Sequence, residues 1–97
     1  MTENHPINLA AMPRFRLGSL MLAPALHEIS GPDWLEELEP RVMQVMVALA
    51  EKPGEAVTRD ELITRCWNGL AVSEDAIQRC IARLRRLSRD RGGFEIA

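Results

Sequence analysis

The sequence predicts an α+β domain: a short antiparallel sheet first, then three helices, then the opening strand of a C-terminal hairpin. Three observations carry that reading. Apolar residues between Arg14 and Leu38 recur mostly at two-residue steps, broken by Gly18, Pro24 and Gly31-Pro32. Beyond Glu39 the spacing changes to threes and fours in three separate runs, bounded by caps and breakers. After Gly92-Gly93, the run Phe94-Glu95-Ile96 returns to alternation.

Each element has its own justification. Residues 1–13 hold Pro6, Pro13 and scattered small side chains, and are expected to form a flexible N-terminal arm. The folded domain then covers 14–97. In 14–38, Phe15, Leu17, Leu20, Leu22, Leu26 and Ile29 point to three or four short strands ending near Trp34-Leu35. Pro40 suits the first turn of a helix, with Glu39 near the positive end of its dipole. Val42, Val45, Met46 and Leu49 form its buried stripe, and Pro53-Gly54 stops it. Thr58-Arg59-Asp60-Glu61 is a capping box that opens a second helix, with Leu62, Ile63, Cys66 and Trp67 on its inner side. Asn68-Gly69 ends it, and a four-residue connector from Leu70 leads to Ser73, the expected N-cap of the third helix. Three helices thus fill 39–91, and residues 94–97 begin a final strand.

Charge is unevenly spread. The chain carries a net charge of −2, but 79–91 holds six arginines against Asp90 alone. The field of such an element is screened beyond roughly 8–10 Å in physiological salt, so a local basic stripe on an acidic body still attracts phosphate. No basic segment preceding an apolar core marks a signal peptide, and the longest apolar stretch, Val42 to Ala50, is far too short to span a bilayer. A cytoplasmic location is expected. Cys66 and Cys80 fall at apolar helix positions and read as reduced, buried small hydrophobes rather than a disulfide framework. His5 and His27 lack metal-ligand company, so no metal and no cofactor is expected.

The third helix carries the chemistry. Ile77, Cys80, Ile81, Leu84 and Leu87 line its buried face, while Asp75, Arg79, Arg83 and Arg86 follow one another along a different face. A helix with one hidden stripe and a row of guanidinium groups suits a DNA major groove, where arginine bonds guanine edges and phosphates. The same row is compatible with a solvated helix in which Arg79 pairs with Asp75 one turn away. Two helices joined by a tight turn, the second amphipathic and Arg-rich, meet the helix-turn-helix description.

Larger patterns sharpen it. Leu38-Glu39-Pro40-Arg41-Val42-Met43, then Gly54, Val57, Arg59, Leu62 and Trp67, then Ile81-x-Arg83-Leu84-Arg85-Arg86 resemble the DNA-binding domain of OmpR/PhoB-type transcriptional regulators. The resemblance covers about residues 14–96 and implies a winged helix-turn-helix fold of bacterial type. It implies that 58–67 is the positioning helix, 73–89 the recognition helix in the major groove, and 68–73 the loop that contacts RNA polymerase. By the same resemblance the DNA-facing residues are Asp75, Gln78, Arg79, Arg83 and Arg86. Gln78, Arg79 and Arg83 are expected on base edges and Arg86 nearer the backbone; Trp67 is expected on a phosphate, or else as a core residue. Double-stranded DNA is the implied partner, met by a homodimer or by tandem copies. The family's C-terminal hairpin wing carries a Thr-x-x-Gly-x-Gly-Tyr run that this sequence lacks, so the wing is expected to be incomplete.

Other classes fare worse. No Gly-rich phosphate loop, metal-spaced Cys/His set or nucleophile–base pair occurs, so an enzyme is not expected and no small-molecule substrate is implied. The rival reading is a winged helix used for protein–protein assembly without DNA. The net charge of −2 favours that rival and the arginine-rich run opposes it. The two are separable by where Arg79, Arg83 and Arg86 point. If all three pair with acids of their own chain, the assembly reading gains.

Overall fold

A computed structural model describes residues 6–52 and 56–94. Four short strands form one antiparallel sheet in the order β1-β2-β3-β4: Phe15–Leu17, Leu20–Ala23, Glu28–Ser30 and Leu35–Glu37. Gly18, with φ of 60°, turns β1 directly into β2, a left-handed conformation that glycine adopts without a Cβ penalty. Phe15 pairs with Leu22, Leu22 with Ile29, and Ile29 with Glu36, so these four share the face turned to the helices. Pro24–Leu26 forms a turn of 3-10 helix between β2 and β3, which is why Leu26, expected in a strand, is 51% exposed. The last strand ends two residues beyond the expected Trp34-Leu35 boundary.

The helices are α1 (Pro40–Ala50), α2 (Arg59–Cys66) and α3 (Glu74–Arg91). Pro40 occupies the first turn of α1, as its fixed φ and missing N–H favour. Six of the eleven residues of α1 are buried, more than one stripe, because α2, α3 and the 3-10 turns at Leu9–Ala11 and Pro24–Leu26 all pack on it. Thr58 Oγ1 accepts from the Glu61 backbone N–H at 3.1 Å, the capping box the sequence encodes, and Ser73 Oγ does the same for Ala76 at 3.2 Å. Each such cap contributes about 1 kcal/mol. Gly92, with φ of 73°, ends α3.

One core runs through all these elements. Leu20, Leu22 and Ile29 meet Met43, Val45 and Met46 of α1, Leu62 and Cys66 of α2, and Ile77, Leu84 and Leu87 of α3. Ile7 and Leu9 belong to the same core, both 7% exposed. The Ile7 N–H donates to the Arg65 carbonyl, and Gln44 Nε2 donates to the Ile7 carbonyl. The described part of 1–13 is therefore packed against the domain: burial of these two apolar side chains offsets the entropy of ordering the segment. Residues 1–5 of that arm, and the Pro53-Gly54 helix stop, lie outside the described residues. Phe94 is partly buried against the core but is not in a strand, and the rest of the expected 94–97 strand also lies outside the described residues.

Candidate nucleic-acid interface

The junction of α2 and α3 is built by backbone conformations that the sequence marks. Trp67 caps α2, Asn68 and Gly69 follow with φ of 53° and 74°, and the Gly69 N–H returns to the Ile63 carbonyl. Asparagine and glycine are the residues that take this left-handed geometry most readily. Val72, Trp67 and Ile63 pack against the core beneath the junction. Leu70 stands out of it, 68% exposed.

This junction fixes how α3 is displayed. Its buried residues are Ile77, Cys80, Leu84 and Leu87. Asp75, Gln78, Arg79, Ala82 and Arg86 are exposed, and the helical repeat places them on one face opposite that stripe. A shallow depression on this face is lined by Asp75, Gln78, Arg79 and Ala82. Arg79 Nε donates to the Asp75 carbonyl, not to its carboxylate, at 3.4 Å. Gln78 Nε2 donates to Glu74 at 3.1 Å, and Glu74 also pairs with Arg59 of α2 at 2.5 Å, tying the start of α3 to α2. No ion pair of Arg86 occurs among the described residues.

Arg83 departs from the expected row. It reaches back to Glu36 on β4, with Nη2 3.2 Å from the carboxylate, and its side chain is only 28% exposed. Arg91, one face-repeat further along α3, reaches the other oxygen of the same carboxylate at 3.0 Å and stacks over the Trp34 ring at 5.0 Å. Trp34 in turn folds back over Gly31, where a Cβ would lie 2.2 Å from the indole nitrogen. Burial alone would raise the Glu36 carboxyl, but hydrogen bonds and attraction from Arg83 and Arg91 outweigh it and hold it below 4.5. Glu36 is thus a staple between sheet and helix. The structure gathers Asp75, Gln78, Arg79 and Arg86 on one surface and assigns Arg83 to the flank.

Trp67 is half-buried and packs against the core, with Arg41 of α1 stacked over its ring at 5.0 Å. Arg41 Nη1 also donates to the Cys66 carbonyl at 2.5 Å. The two thiols are free and buried; burial pushes Cys66 up to about 12 and also raises Cys80. They are packing residues, as their helix positions indicate. Two residues of this surface escape sequence reasoning. Arg89 is exposed three positions beyond Arg86 and extends the solvent face, a place its helical spacing predicts. Arg41 reaches the α2–α3 junction only through tertiary packing, and no local pattern announces it.

Residues 35–94 match the family described as "Transcriptional regulatory protein, C terminal". The chain belongs to that family. It is 32% identical over 78 residues to the transcriptional activator CadC of Escherichia coli K12, a match covering 80% of this chain and 15% of that protein. It is 38% identical over 50 residues to the transcriptional regulator HilA of Salmonella typhimurium, covering 52% of this chain and 9% of that one. The chain therefore spans a small part of the length of the curated relatives it matches. In structure it resembles the DNA-binding domain of E. coli CadC, with a TM-score of 0.73, 29% identity, and coverage of 89% of this chain and 80% of the other. The sheet-then-three-helix order is that of the winged helix expected from the sequence.

Proposed function

We propose that this chain is the DNA-binding module of a bacterial transcription regulator and that α3 enters the major groove. The supporting observation is the solvent face of α3. Arg79 and Arg86 stand there without an acidic partner among the described residues, beside the Gln78 amide and the small Ala82. Long cations flanking a small residue let a helix approach base edges while its ends meet phosphates. Among the described residues only Arg83 of the three discriminating arginines is ion-paired, so the condition that would favour the assembly reading is not met.

In this reading Gln78 and Arg79 read base edges, Arg86 and Arg89 follow the backbone, and Trp67 offers its indole N–H to a phosphate. Asp75 sits at the entry of the helix, where a carboxylate accepts from a cytosine amino group. Two copies, as a homodimer or in tandem, occupy a repeated site, and the 68–73 loop with exposed Leu70 meets RNA polymerase. The protein works where DNA is, in the cytoplasm, and carries no enzymatic step. No helix among the described residues is long and apolar enough to cross a membrane.

The test is titration of duplex DNA across a salt series, for the parent chain and an Arg79→Ala/Arg86→Ala variant. Each lost phosphate or charged contact flattens the plot of log K against log salt by about 0.9. The parent is expected to bind with a steep slope and the variant to flatten it by up to roughly 1.8. A parent that does not bind at low salt, or a variant with an unchanged slope and affinity, overturns the assignment.

A further inference from the structure

Beside the solvent face of α3 lies a second basic feature, a cleft where three helices converge. Its walls include Glu39 and Arg41 from the start of α1, Trp67 from the end of α2, and Ala76, Arg79 and Cys80 from the first half of α3. Arg41 is fixed in this cleft twice over, by its stack on Trp67 and its hydrogen bond to the Cys66 carbonyl. That bond occupies one of the five N–H donors a guanidinium carries. No hydrogen bond of the Trp67 indole N–H to an acceptor occurs among the described residues.

We infer that Arg41 seats one DNA backbone phosphate in this cleft, over the Trp67 indole, with the Arg79 cation lining the opposite wall. The inference deepens the DNA-binding reading and rests on it. Several facts converge on an anion here. Two cations outnumber the single carboxylate of Glu39. The arginine on α1 is already immobilised, so little side-chain entropy is lost when it takes up a phosphate oxygen. Arginine's planar fork can use its remaining edge on two phosphate oxygens at once. The cleft also adjoins the Asp75–Gln78–Arg79–Ala82 face through Arg79 itself, so one strand could run from the groove to the cleft without a gap. Arg41 would then act from outside the helix-turn-helix unit, coupling the first helix directly to the DNA backbone.

The test uses Arg41→Gln, which keeps an amide donor for the Cys66 carbonyl and removes the charge. Binding of mixed-sequence duplex is measured over a salt series for the parent and the variant, with the far-ultraviolet spectrum and melting midpoint as fold controls. A site duplex carrying single neutral methylphosphonate linkages is then scanned with both proteins. The expected result is a slope flattened by about 0.9 in the variant, equally on all sequences, with a native spectrum. One linkage should weaken the parent but leave the variant unaffected. A variant that binds with the parent's slope, or a scan in which every linkage affects both proteins alike, overturns the inference and leaves the DNA-binding reading intact. A parent that fails to bind overturns both.

Discussion

Replacing Glu36 by alanine should weaken the fold and strengthen DNA binding in the same molecule. Glu36 holds two arginines of α3 by two ion pairs at 3.2 Å and 3.0 Å, each only partly exposed. Pairs of that exposure contribute roughly 0.5–1 kcal/mol each, so the loss is roughly 1–2 kcal/mol. For a domain of this size each kcal/mol moves the melting midpoint by about 4–8 °C. The midpoint should therefore fall by roughly 5–15 °C, read by circular dichroism. Freed from Glu36, Arg83 can swing from the flank of α3 toward the phosphates, steepening the salt dependence of DNA binding by about 0.9. Glu37→Ala is the control: its carboxylate lies on the opposite face of β4, so it changes the net charge equally without releasing Arg83. A double-mutant cycle of Glu36→Ala with Arg83→Ala isolates the pair and should return a coupling of about 0.5–1 kcal/mol. Zero coupling, or a steeper slope in Glu37→Ala as large as in Glu36→Ala, would refute the staple.

Other outcomes follow from the same structure. The staple has a definite pH dependence: the folded Glu36 carboxyl lies below its ordinary 4.5, so its stabilisation is present above that value and is lost as pH falls through the folded value. Acid titration of the melting midpoint should show this loss in the parent and not in Glu36→Ala. Leu84→Ala removes a side chain with 0% exposure at the centre of the core and should cost about 2–5 kcal/mol, measured by urea unfolding. Ser73→Ala removes the cap of α3 and should cost about 1 kcal/mol in the same assay, with DNA affinity lowered through fraying of the helix start. Cys66, pushed up to about 12, should stay unmodified by a thiol-specific reagent at pH 8 and react only as fast as the domain opens.

Helix positions and caps were legible because their signals are local. Thr58 and Ser73 are capping residues whose partners lie three positions away, and the Ile77–Leu87 stripe needs only the 3.6-residue repeat. The antiparallel sheet could be read as short strands for the same reason, but Leu26 could not, because a 3-10 turn and a strand share its local apolar spacing. The order of residues 6–13 was hidden: Ile7 and Leu9 carry no periodicity, Ile7 is bonded to the distant Arg65 and Gln44, and Leu9 is buried in the common core. The candidate site was legible to the same depth. That Asp75, Arg79 and Arg86 share one exposed face follows from helical spacing, and Gln78 was placed there by the family resemblance. Arg83 belongs to the same row by spacing and leaves it because an acid 47 positions earlier sits within reach. Nothing local in the sequence encodes that distance.

The arginines of α3 therefore divide by destination, and the division explains how a chain with net charge −2 can carry a cationic face. Arg83 and Arg91 turn toward the sheet, where one carboxylate pairs with both and fixes the helix at its flank. Arg79, Arg86 and Arg89 turn outward, and Arg41 joins them from another helix. Some acids of the helical part are engaged locally: Glu74 holds Arg59 and Gln78, and Glu61 holds Lys52. On the outward face and its adjoining cleft the cations Arg41, Arg79, Arg86 and Arg89 outnumber the acids Asp75 and Glu39, so a phosphate approaching α3 meets a locally positive surface at close range. Net charge misleads for this domain because folding sorts the charges by face.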